Sequence, residues 1–356
     1  MKVGYTAMFQ NPENQLSDRE LYQEELRMAV RAESLGFDSV WGIEHHFTDY
    51  ILSPHVPQFL TYVAAKTERV ELGSAVVVLP WNDPIRVAEQ ISVLDHMSDG
   101  RVIFGMGRGL ARVEFDSFGV PQGDSRILFN ERLEAILDAL ETGVMEYDGT
   151  LVKVSRSPIR PEPFKSFKGR TYAASISPET GAILAKAGVG LLIIAQKPWD
   201  QQLQELADYR AMYSEHTGGE VAPPPIVLSQ CVCAETEDEA EELAHRYIEG
   251  YYHTVIKHYE VESDQFGTAR GYESYKAMQE ALAQMGADGM AAFYKDLQVW
   301  GTPEQCIEKV ADLQNKTGCT HTGYAFGYAG MPYEIANRSM ELFASEVLPE
   351  LQKLRD

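Results

Sequence analysis

Apolar residues along this chain fall into two patterns that alternate from one end to the other. Short runs rich in valine, isoleucine and leucine are typical of buried strands, and longer stretches with apolar residues three or four positions apart are typical of helices. Eight short runs predict strands, at residues 3–9, 38–43, 70–79, 101–106, 171–174, 190–194, 226–234 and 320–326. Repeated strand–helix units of this kind predict a parallel sheet.

Residues that start or stop helices stand where the two patterns change. Gly36 follows the first helical stretch, Pro84 opens another, and Thr302 is placed as an N-cap. The predicted helices cover residues 18–35, 56–66, 125–140, 178–187, 199–216 and 237–259, with others opening near 84, 302 and 332.

Two segments interrupt the alternation. A proline-rich excursion at 147–168 is expected to pair with itself at the rim of the fold. A polar, glycine-containing segment at 263–296 is expected to be irregular, and an irregular stretch of that length in a compact fold is typical of a lid.

The count of strands predicts one α/β domain over residues 1–356, a (β/α)8 TIM barrel with a rim insertion and a mobile active-site loop. An open, doubly wound sheet is the alternative. That fold carries a glycine-rich, nucleotide-binding turn after its first strand, and no such turn follows Phe9.

Charge and composition limit the partners. The chain has 53 acidic and 31 basic residues, and its net charge of −22 opposes binding to nucleic acid or to an anionic membrane.

No apolar run approaches the roughly 18 residues of a membrane span. The start MKVGY lacks the features of a secretory signal, so we expect a cytoplasmic protein. The four cysteines have neither zinc-ligand nor disulfide-framework spacing.

Polar residues follow several predicted strands, at the end of a barrel where active sites lie. These clusters are residues 44–47, 80–82, 105–109 and 175–180. Four residues near these strand ends together predict an anion site. They are Arg108, Ser177 and Thr180 from the clusters and Arg126 from the start of the following helix. The alternative is a capped helix with two surface arginines.

The adjacent His45 and His46 raise the possibility of a metal site. Neighbouring residues on a strand point to opposite faces, so the two rings cannot bind one ion together, and we expect no metal. One imidazole is expected to face the barrel mouth, where it could exchange protons. A purely structural histidine pair is the alternative.

Several motifs in register resemble the luciferase-like flavin-dependent monooxygenases, in particular the α subunits of bacterial luciferases. They are GFDSVW at 36–41, EHHFTD at 44–49, GSAVVVLP at 73–80, LDHMSDGR at 94–101, RGL at 108–110, DSR at 124–126 and GTPEQCI at 301–307.

The resemblance implies a monooxygenase that uses reduced FMN and O2 through a flavin C4a-hydroperoxide to oxidise a small hydrophobic aldehyde, ketone or heteroatom compound. A separate flavin reductase would supply the reduced FMN.

His45 matches the catalytic histidine, and the Ala75–Val76 peptide matches a cis bond that supports the flavin ring. The implied cofactor-binding residues are Ala75, Val76, Met106, Gly107, Arg108, Arg126, Ser175, Ile176, Ser177 and Thr180. The implied substrate pocket contains Ile43, Phe47, Ala111, Phe118, Ala195 and Tyr251.

Five positions depart from the family pattern. Gly107 replaces a cysteine, Ala111 a tyrosine, Ile176 a glutamate, Ala195 a tryptophan and Tyr251 another tryptophan. The loss of side-chain bulk at two of these positions should enlarge or reshape the pocket, and the loss of aromatic walls should weaken the protection of an excited flavin. We therefore expect monooxygenation to be retained more readily than light emission.

Residues 263–296 match the family's mobile loop, which is thought to close over the bound intermediate. Family members pair through helices on one flank of the barrel, so a homodimer or a heterodimer with a related subunit is expected. Two other classes stay open: a deazaflavin-dependent oxidoreductase with the same barrel, and a non-catalytic flavin-binding subunit.

Overall fold

The computed structural model describes residues 1–174 and 178–354, and side chains at 178–180 also fall outside the description. Within these ranges the strands follow the predicted order. They are β1 (Lys2–Ala7), β2 (Ser39–Gly42), β3 (Glu71–Ser74), β4 (Val77–Val78), β5 (Val102–Gly107), β6 (Val144–Asp148), β7 (Lys153–Pro158), β8 (Thr171–Ala174), β9 (Gly190–Ile194), β10 (Ile226–Cys233), β11 (Val299–Gly301) and β12 (His321–Ala325).

Eight of these strands close into a parallel barrel, which confirms the predicted fold. The ring runs β1, β2, β3, β5, β8, β9, β10 and β12, with each strand parallel to the next. Pairing of Val3 with Thr322 joins the last strand to the first. The short strands β4 and β11 extend the sheet beside β5 and β10.

Helices connect the strands and surround the barrel. They are α1 (Asp18–Ser34), α2 (Val56–Ala64), α3 (Pro84–Met97), α4 (Arg112–Phe118), α5 (Ser125–Thr142), α6 (Pro178–Lys186), α7 (Trp199–Thr217), α8 (Glu237–Leu243), α9 (Glu249–His258), α10 (Lys276–Asp296), α11 (Pro303–Thr317), α12 (Tyr333–Leu342) and α13 (Leu348–Lys353). Single π turns join α8 to α9 and α12 to α13. No helix in the described part of the chain is long and apolar enough to cross a membrane.

The strand predicted at 70–79 is two short strands. β3 ends at Ser74, and the peptide bond between Ala75 and Val76 is cis, in agreement with the resemblance. After this bond the chain resumes as β4, which pairs with the end of β5. A continuous apolar run carries no signal for such an interruption.

The proline-rich excursion pairs with itself as predicted, in an antiparallel hairpin of β6 and β7. Pairing starts at Val144, ahead of the predicted start. The Glu131 carboxylate of α5 accepts hydrogen bonds from the backbone amides of residues 150–152 and so holds the hairpin tip to the barrel.

The expectation of irregular chain over 263–296 was wrong for most of that segment. Turns and a short 3-10 helix lead to Tyr275, and α10 then runs to Asp296 with a kink at Gly286. Leu282, Met290 and Tyr294 of α10 are buried. Alanine, glycine and glutamine between them weaken the apolar period, which is why the sequence pattern missed the helix. The mobility of this segment stays a prediction.

A tryptophan fills the barrel interior. Trp41 is completely buried, and a Cβ built on Gly73 would lie 2.1 Å from its ring, with similar clashes from Gly4. Its indole nitrogen donates to Ser39 Oγ, which lies 2.7 Å from His321 Nε2. Since the interior is filled, polar chemistry is confined to the strand ends.

Candidate active site

The buried carboxylate of Glu44, just after β2, organises the mouth of the barrel. It accepts hydrogen bonds from the Val78 amide at 3.0 Å, Trp81 Nε1 at 2.7 Å and Asn82 Nδ2 at 3.1 Å. Its Oε1 also lies 3.2 Å from His46 Nε2. Glu44 therefore fixes the chain after β4 to the chain after β2.

His45 lies between a carboxylate and a phenol. Its Nδ1 is 2.9 Å from Glu114 Oε1, and its Nε2 is 3.3 Å from the Tyr259 hydroxyl. Glu114, on α4, also accepts from the backbone amide of His46 at 2.9 Å. The consistent assignment is that Nδ1–H donates to the carboxylate and Nε2 accepts from Tyr259. The rings of His45 and His46 thus have different partners, as the sequence analysis expected.

The pKa shifts describe the charges around His45. Burial raises the pKa of Glu114, but its interactions with His45 and His258 and the hydrogen bond from the His46 amide bring that pKa below its usual value. Burial lowers the pKa of His258 to about 3, and the neighbouring His45 adds to the effect. Glu114 is therefore ionised and His258 neutral near pH 7.

A layer of tyrosines lies against the histidines. The Tyr50 ring stacks on His258 with centroids 4.4 Å apart, and its hydroxyl is 2.7 Å from that of Tyr251. Tyr251 packs in turn against Tyr294 and Tyr328. Burial raises the pKa of Tyr251 to about 12, so it stays neutral. The predicted pocket residue Tyr251 is thus buried on the His45 side of the mouth.

The structure brings Arg108 and Arg126 together. A Cβ built on Gly271 would lie 3.3 Å from Arg108 Nη1 and 3.3 Å from Arg126 Nε and Nη2. Arg126 Nη2 donates to the Gly271 carbonyl at 3.3 Å, and the Arg108 guanidinium lies 4.1 Å from the centre of the Tyr272 ring. Nη1 of Arg108 is buried and has no hydrogen-bond partner among the described residues.

The segment before α10 covers this arginine pair. Tyr272 is buried, and its hydroxyl donates to the Gly109 carbonyl at 2.9 Å. Arg108 also contacts the Tyr275 hydroxyl and counteracts the rise that burial causes in the pKa of Tyr275. The predicted lid therefore lies directly against the predicted phosphate ligands.

Small residues and a close backbone approach characterise the positions predicted to bind the cofactor. A Cβ on Gly107 would lie 2.3 Å from Val76 Cγ2, and one on Gly105 would lie 1.9 Å from the Ser74 carbonyl oxygen. Met106 is completely buried in the core between barrel and helices, so only its main chain could face a cofactor. Of the other predicted cofactor-binding residues, Ser175, Ile176, Ser177 and the side chain of Thr180 lie outside the described residues.

Two of the predicted substrate-pocket residues lie together at the surface. Phe47 and Phe118 meet with ring centroids 5.0 Å apart and are 59% and 38% exposed, in an aromatic patch with His46 and Trp81. The remaining three are Ile43, which is partly buried, and the buried Ala111 and Ala195.

Sequence reasoning missed Glu114, His258 and Tyr259. Glu114 follows the arginine loop within one turn of helix, so its position near the mouth was a signal. His258 and Tyr259 come at the end of α9, and nothing in their local sequence distinguishes them from ordinary helix-end residues.

Comparisons with known proteins agree with the fold and the motifs. Residues 1–321 match the family model described as luciferase-like monooxygenase. The alkanal monooxygenase alpha chain of Photobacterium leiognathi is 30% identical over 357 aligned positions, which cover 99% of each chain.

Two solved structures share the barrel. One is the oxygenating constituent of 3,6-diketocamphane monooxygenase from Pseudomonas putida, a type II Baeyer-Villiger monooxygenase in complex with FMN, with a TM-score of 0.73, 19% identity and 98% coverage of each chain. The other is an F420-dependent secondary alcohol dehydrogenase in complex with an F420-acetone adduct, with a TM-score of 0.73, 17% identity and the same coverage. From the extent of the family match and the full-length identity to the alkanal monooxygenase chain, this protein belongs to the luciferase-like monooxygenase family.

Proposed function

We propose that this protein is a monooxygenase that uses reduced FMN and O2 to oxidise a small hydrophobic aldehyde, ketone or heteroatom compound. The observation that carries the proposal is the pair of partly buried arginines, Arg108 and Arg126, which lies at the same end of the barrel as His45. Arg108 follows β5 and His45 follows β2, and parallel strands of a barrel end at the same rim.

The arginine pair suits a phosphate. A guanidinium offers donors in a geometry that matches phosphate oxygens, and a buried donor without a partner costs free energy. Arg108 Nη1 is such a donor among the described residues, and Arg126 lies beside it. We assign the FMN phosphate to this pair. Ser177 and Thr180, whose side chains are not described, complete the site in this proposal.

The flavin ring is assigned to the bed formed by Ala75, Val76, Gly107 and the main chain of Met106, with residues 175 and 176 beside it. The side chain of Val76 covers Gly107, the position at which the resemblance implies a cysteine. The isoalloxazine ring would therefore contact valine here. Reduced flavin, once bound, supplies the electrons that activate O2.

His45 is the residue that would move a proton in this site. Its Nδ1–H is held by Glu114, so its Nε2 is the atom that accepts a proton, and Tyr259 donates to that atom. The buried tyrosine layer at Tyr50 and Tyr251 excludes water from this side. Phe47 and Phe118 supply exposed apolar surface at which a hydrophobic substrate could enter.

An F420-dependent oxidoreductase is the second candidate. F420 is a deazaflavin, and the F420-dependent dehydrogenase shares the fold as closely as the FMN-containing Baeyer-Villiger enzyme does. The higher, full-length identity to an alkanal monooxygenase favours the flavin and O2. A non-catalytic flavin-binding subunit is less favoured, because His45 keeps a complete set of hydrogen-bond partners.

Several features of the wider system belong to the same proposal. A flavin reductase would supply reduced FMN. The protein would act in the cytoplasm as a homodimer or with a related subunit, and the alpha chain among its relatives supports a paired state. Light emission is not part of the proposal, because Ala111 and Ala195 stand where the resemblance implies aromatic walls.

Binding of reduced FMN and reduced riboflavin under anaerobic conditions tests the phosphate assignment. We expect the Arg108→Ala/Arg126→Ala variant to lose at least tenfold in affinity for FMN and little for riboflavin, which lacks the phosphate. Arg156→Ala, on the exposed rim hairpin, is the matched control. Equal loss for both flavins, or no loss for either, would refute the assignment.

A further inference from the structure

His258 has a nitrogen that the proposed chemistry does not use. Its side chain is only 1% exposed, and Nε2 has no hydrogen-bond partner among the described residues. Its other nitrogen, Nδ1, lies 3.1 Å from Thr48 Oγ1. Buried polar atoms of proteins are almost always paired, and a bound ion or water is a common partner for one that has none within the protein.

The free nitrogen is directed at two other donor groups. Nε2 of His258 is 3.7 Å from Glu114 Oε1, which is 2.9 Å from His45 Nδ1. His45, Glu114 and His258 each offer one donor atom, and these three donor atoms lie within 4.8 Å of one another. Donor atoms around a tetrahedral zinc ion are about 3.4 Å apart, because each is about 2.0–2.2 Å from the metal. Of the two measured separations, 2.9 Å is shorter and 3.7 Å is longer than this donor–donor distance.

We propose that His45, Glu114 and His258 form a binding site for a divalent transition-metal ion such as Zn2+. Two imidazole nitrogens and one carboxylate oxygen are donors that this class of ion accepts readily. The three residues come from the end of β2, from α4 and from α9, so folding alone brings them together. The sequence analysis considered only His45 with His46, and His46 faces Glu44 instead.

Surrounding groups hold the donors in place. Thr48 engages Nδ1 of His258, so that Nε2 presents its lone pair, and the His46 backbone amide holds Glu114 Oε1. Such outer partners orient the ligands of metal sites. His45 is 13% exposed at its side chain, which leaves a path for an ion from solvent.

Metal binding would change the state of His45. An ion at Nδ1 requires the lone pair of that nitrogen, whereas the hydrogen bond to Glu114 requires a proton there. The proton would move to Nε2, which could then no longer accept from Tyr259. Inhibition of the oxidation by Zn2+ is therefore expected, and this consequence rests on the proposed function, whereas the binding itself does not.

Equilibrium dialysis of the full chain against Zn2+, followed by metal analysis, tests the site directly. We expect about one tightly bound ion per chain, and a loss of at least tenfold in affinity for His258→Ala and for Glu114→Gln. His253→Ala should bind like the wild type, because His253 is on the same helix but 43% exposed and paired with Asp288.

A second readout uses Co2+ in place of Zn2+. Visible absorption bands typical of a four-coordinate cobalt site should appear with the wild type and be absent with Glu114→Gln, which keeps the size of the side chain and secures the test if His258→Ala misfolds. Binding that is equal in the wild type and in both site variants would overturn the proposal, as would the absence of tight binding. Neither readout depends on monooxygenase activity, so failure of the proposed function would be seen separately.

Discussion

Gly107 and Val76 share one space at the ends of neighbouring strands. β4 and β5 pair there, and a Cβ on residue 107 would lie 2.3 Å from Val76 Cγ2 and 3.3 Å from Val76 Cβ. The resemblance places a cysteine at 107, so the absent side chain and the branched valine are two parts of one local arrangement. This arrangement sets the surface on which the flavin would lie.

The pair gives a prediction for a double-mutant cycle. Gly107→Ala should lower the free energy of unfolding by about 1–3 kcal/mol, because a new methyl group meets Val76 in a packed interior. Val76→Ala in the same chain should restore most of that loss. Urea unfolding of the two single variants and the double variant measures the coupling. If Gly107→Ala lowers the free energy of unfolding equally with valine and with alanine at position 76, the two residues do not share this space.

At the scale of residues, the sequence predicted the groups that stand in distinctive local contexts. Arg108 lies between glycines, and His45 lies in a motif after a strand, so both could be singled out. His258 and Tyr259 could not, because their role depends on how the end of α9 lies across the barrel mouth. That placement is a property of tertiary packing, which no local pattern encodes.

Among the elements, α1 is tied to both ends of the chain by one buried carboxyl group. Glu25 of α1 accepts a hydrogen bond from Tyr333 of α12 at 2.8 Å and lies 3.3 Å from the Tyr5 hydroxyl of β1. Burial raises its pKa to about 7, and the hydrogen bonds of Tyr333, Tyr5 and two backbone amides offset only part of that rise.

This carboxyl group predicts how stability varies with pH. Between about pH 4.5 and 7 the unfolded chain ionises Glu25 while the folded chain keeps it protonated, so the free energy of unfolding falls as pH rises, by roughly 3 kcal/mol. Above pH 7 no further loss comes from this group. Glu25→Gln removes the titration, so the stability of the variant relative to wild type should rise from pH 5 to pH 8. Urea unfolding at both values checks it, with the exposed Glu220→Gln as control. If the difference in free energy of unfolding between Glu25→Gln and the wild type is the same at pH 5 and pH 8, the titration does not belong to Glu25.

The segment 263–275 is the element most suited to respond to a ligand. Its Gly271 carbonyl and the Tyr272 ring contact Arg126 and Arg108, so an anion between the arginines would act on it directly. We expect FMN to slow amide hydrogen exchange in 266–275 several-fold in the wild type. The Arg108→Ala/Arg126→Ala variant should show no such slowing. Equal exchange with and without FMN in the wild type would argue against a lid.

Elements were predictable where apolar runs and helix-capping residues coincide. All eight barrel strands were found because each is a short buried run between helical stretches. The break at Ala75–Val76 and the helix α10 were missed for opposite reasons. The apolar run continues through the break, whereas α10 has too few strongly apolar residues to give a clear period.

At the scale of the whole molecule, the packed interior of the closed barrel is separate from the rim where the candidate site lies. Trp41 fills the interior against glycines of neighbouring strands, a much larger apolar core lies outside that interior, and the candidate site residues lie at one rim. In a chain with a net charge of −22, the adjacent guanidinium groups of Arg108 and Arg126 form a local positive site at this rim. The same barrel occurs in an FMN-containing enzyme and in an F420-dependent one, so the fold by itself does not identify the cofactor.

Incorporation of oxygen-18 from labelled O2 tests the central claim most directly. The purified protein is supplied with reduced FMN and a panel of hydrophobic aldehydes, cyclic ketones and amines, and the products are analysed by mass spectrometry. We predict a product that carries a single labelled oxygen atom, formed only when both reduced FMN and O2 are present, with a yield at least tenfold lower for His45→Ala. A product without label, or equal turnover with reduced F420 in the absence of O2, would contradict the account.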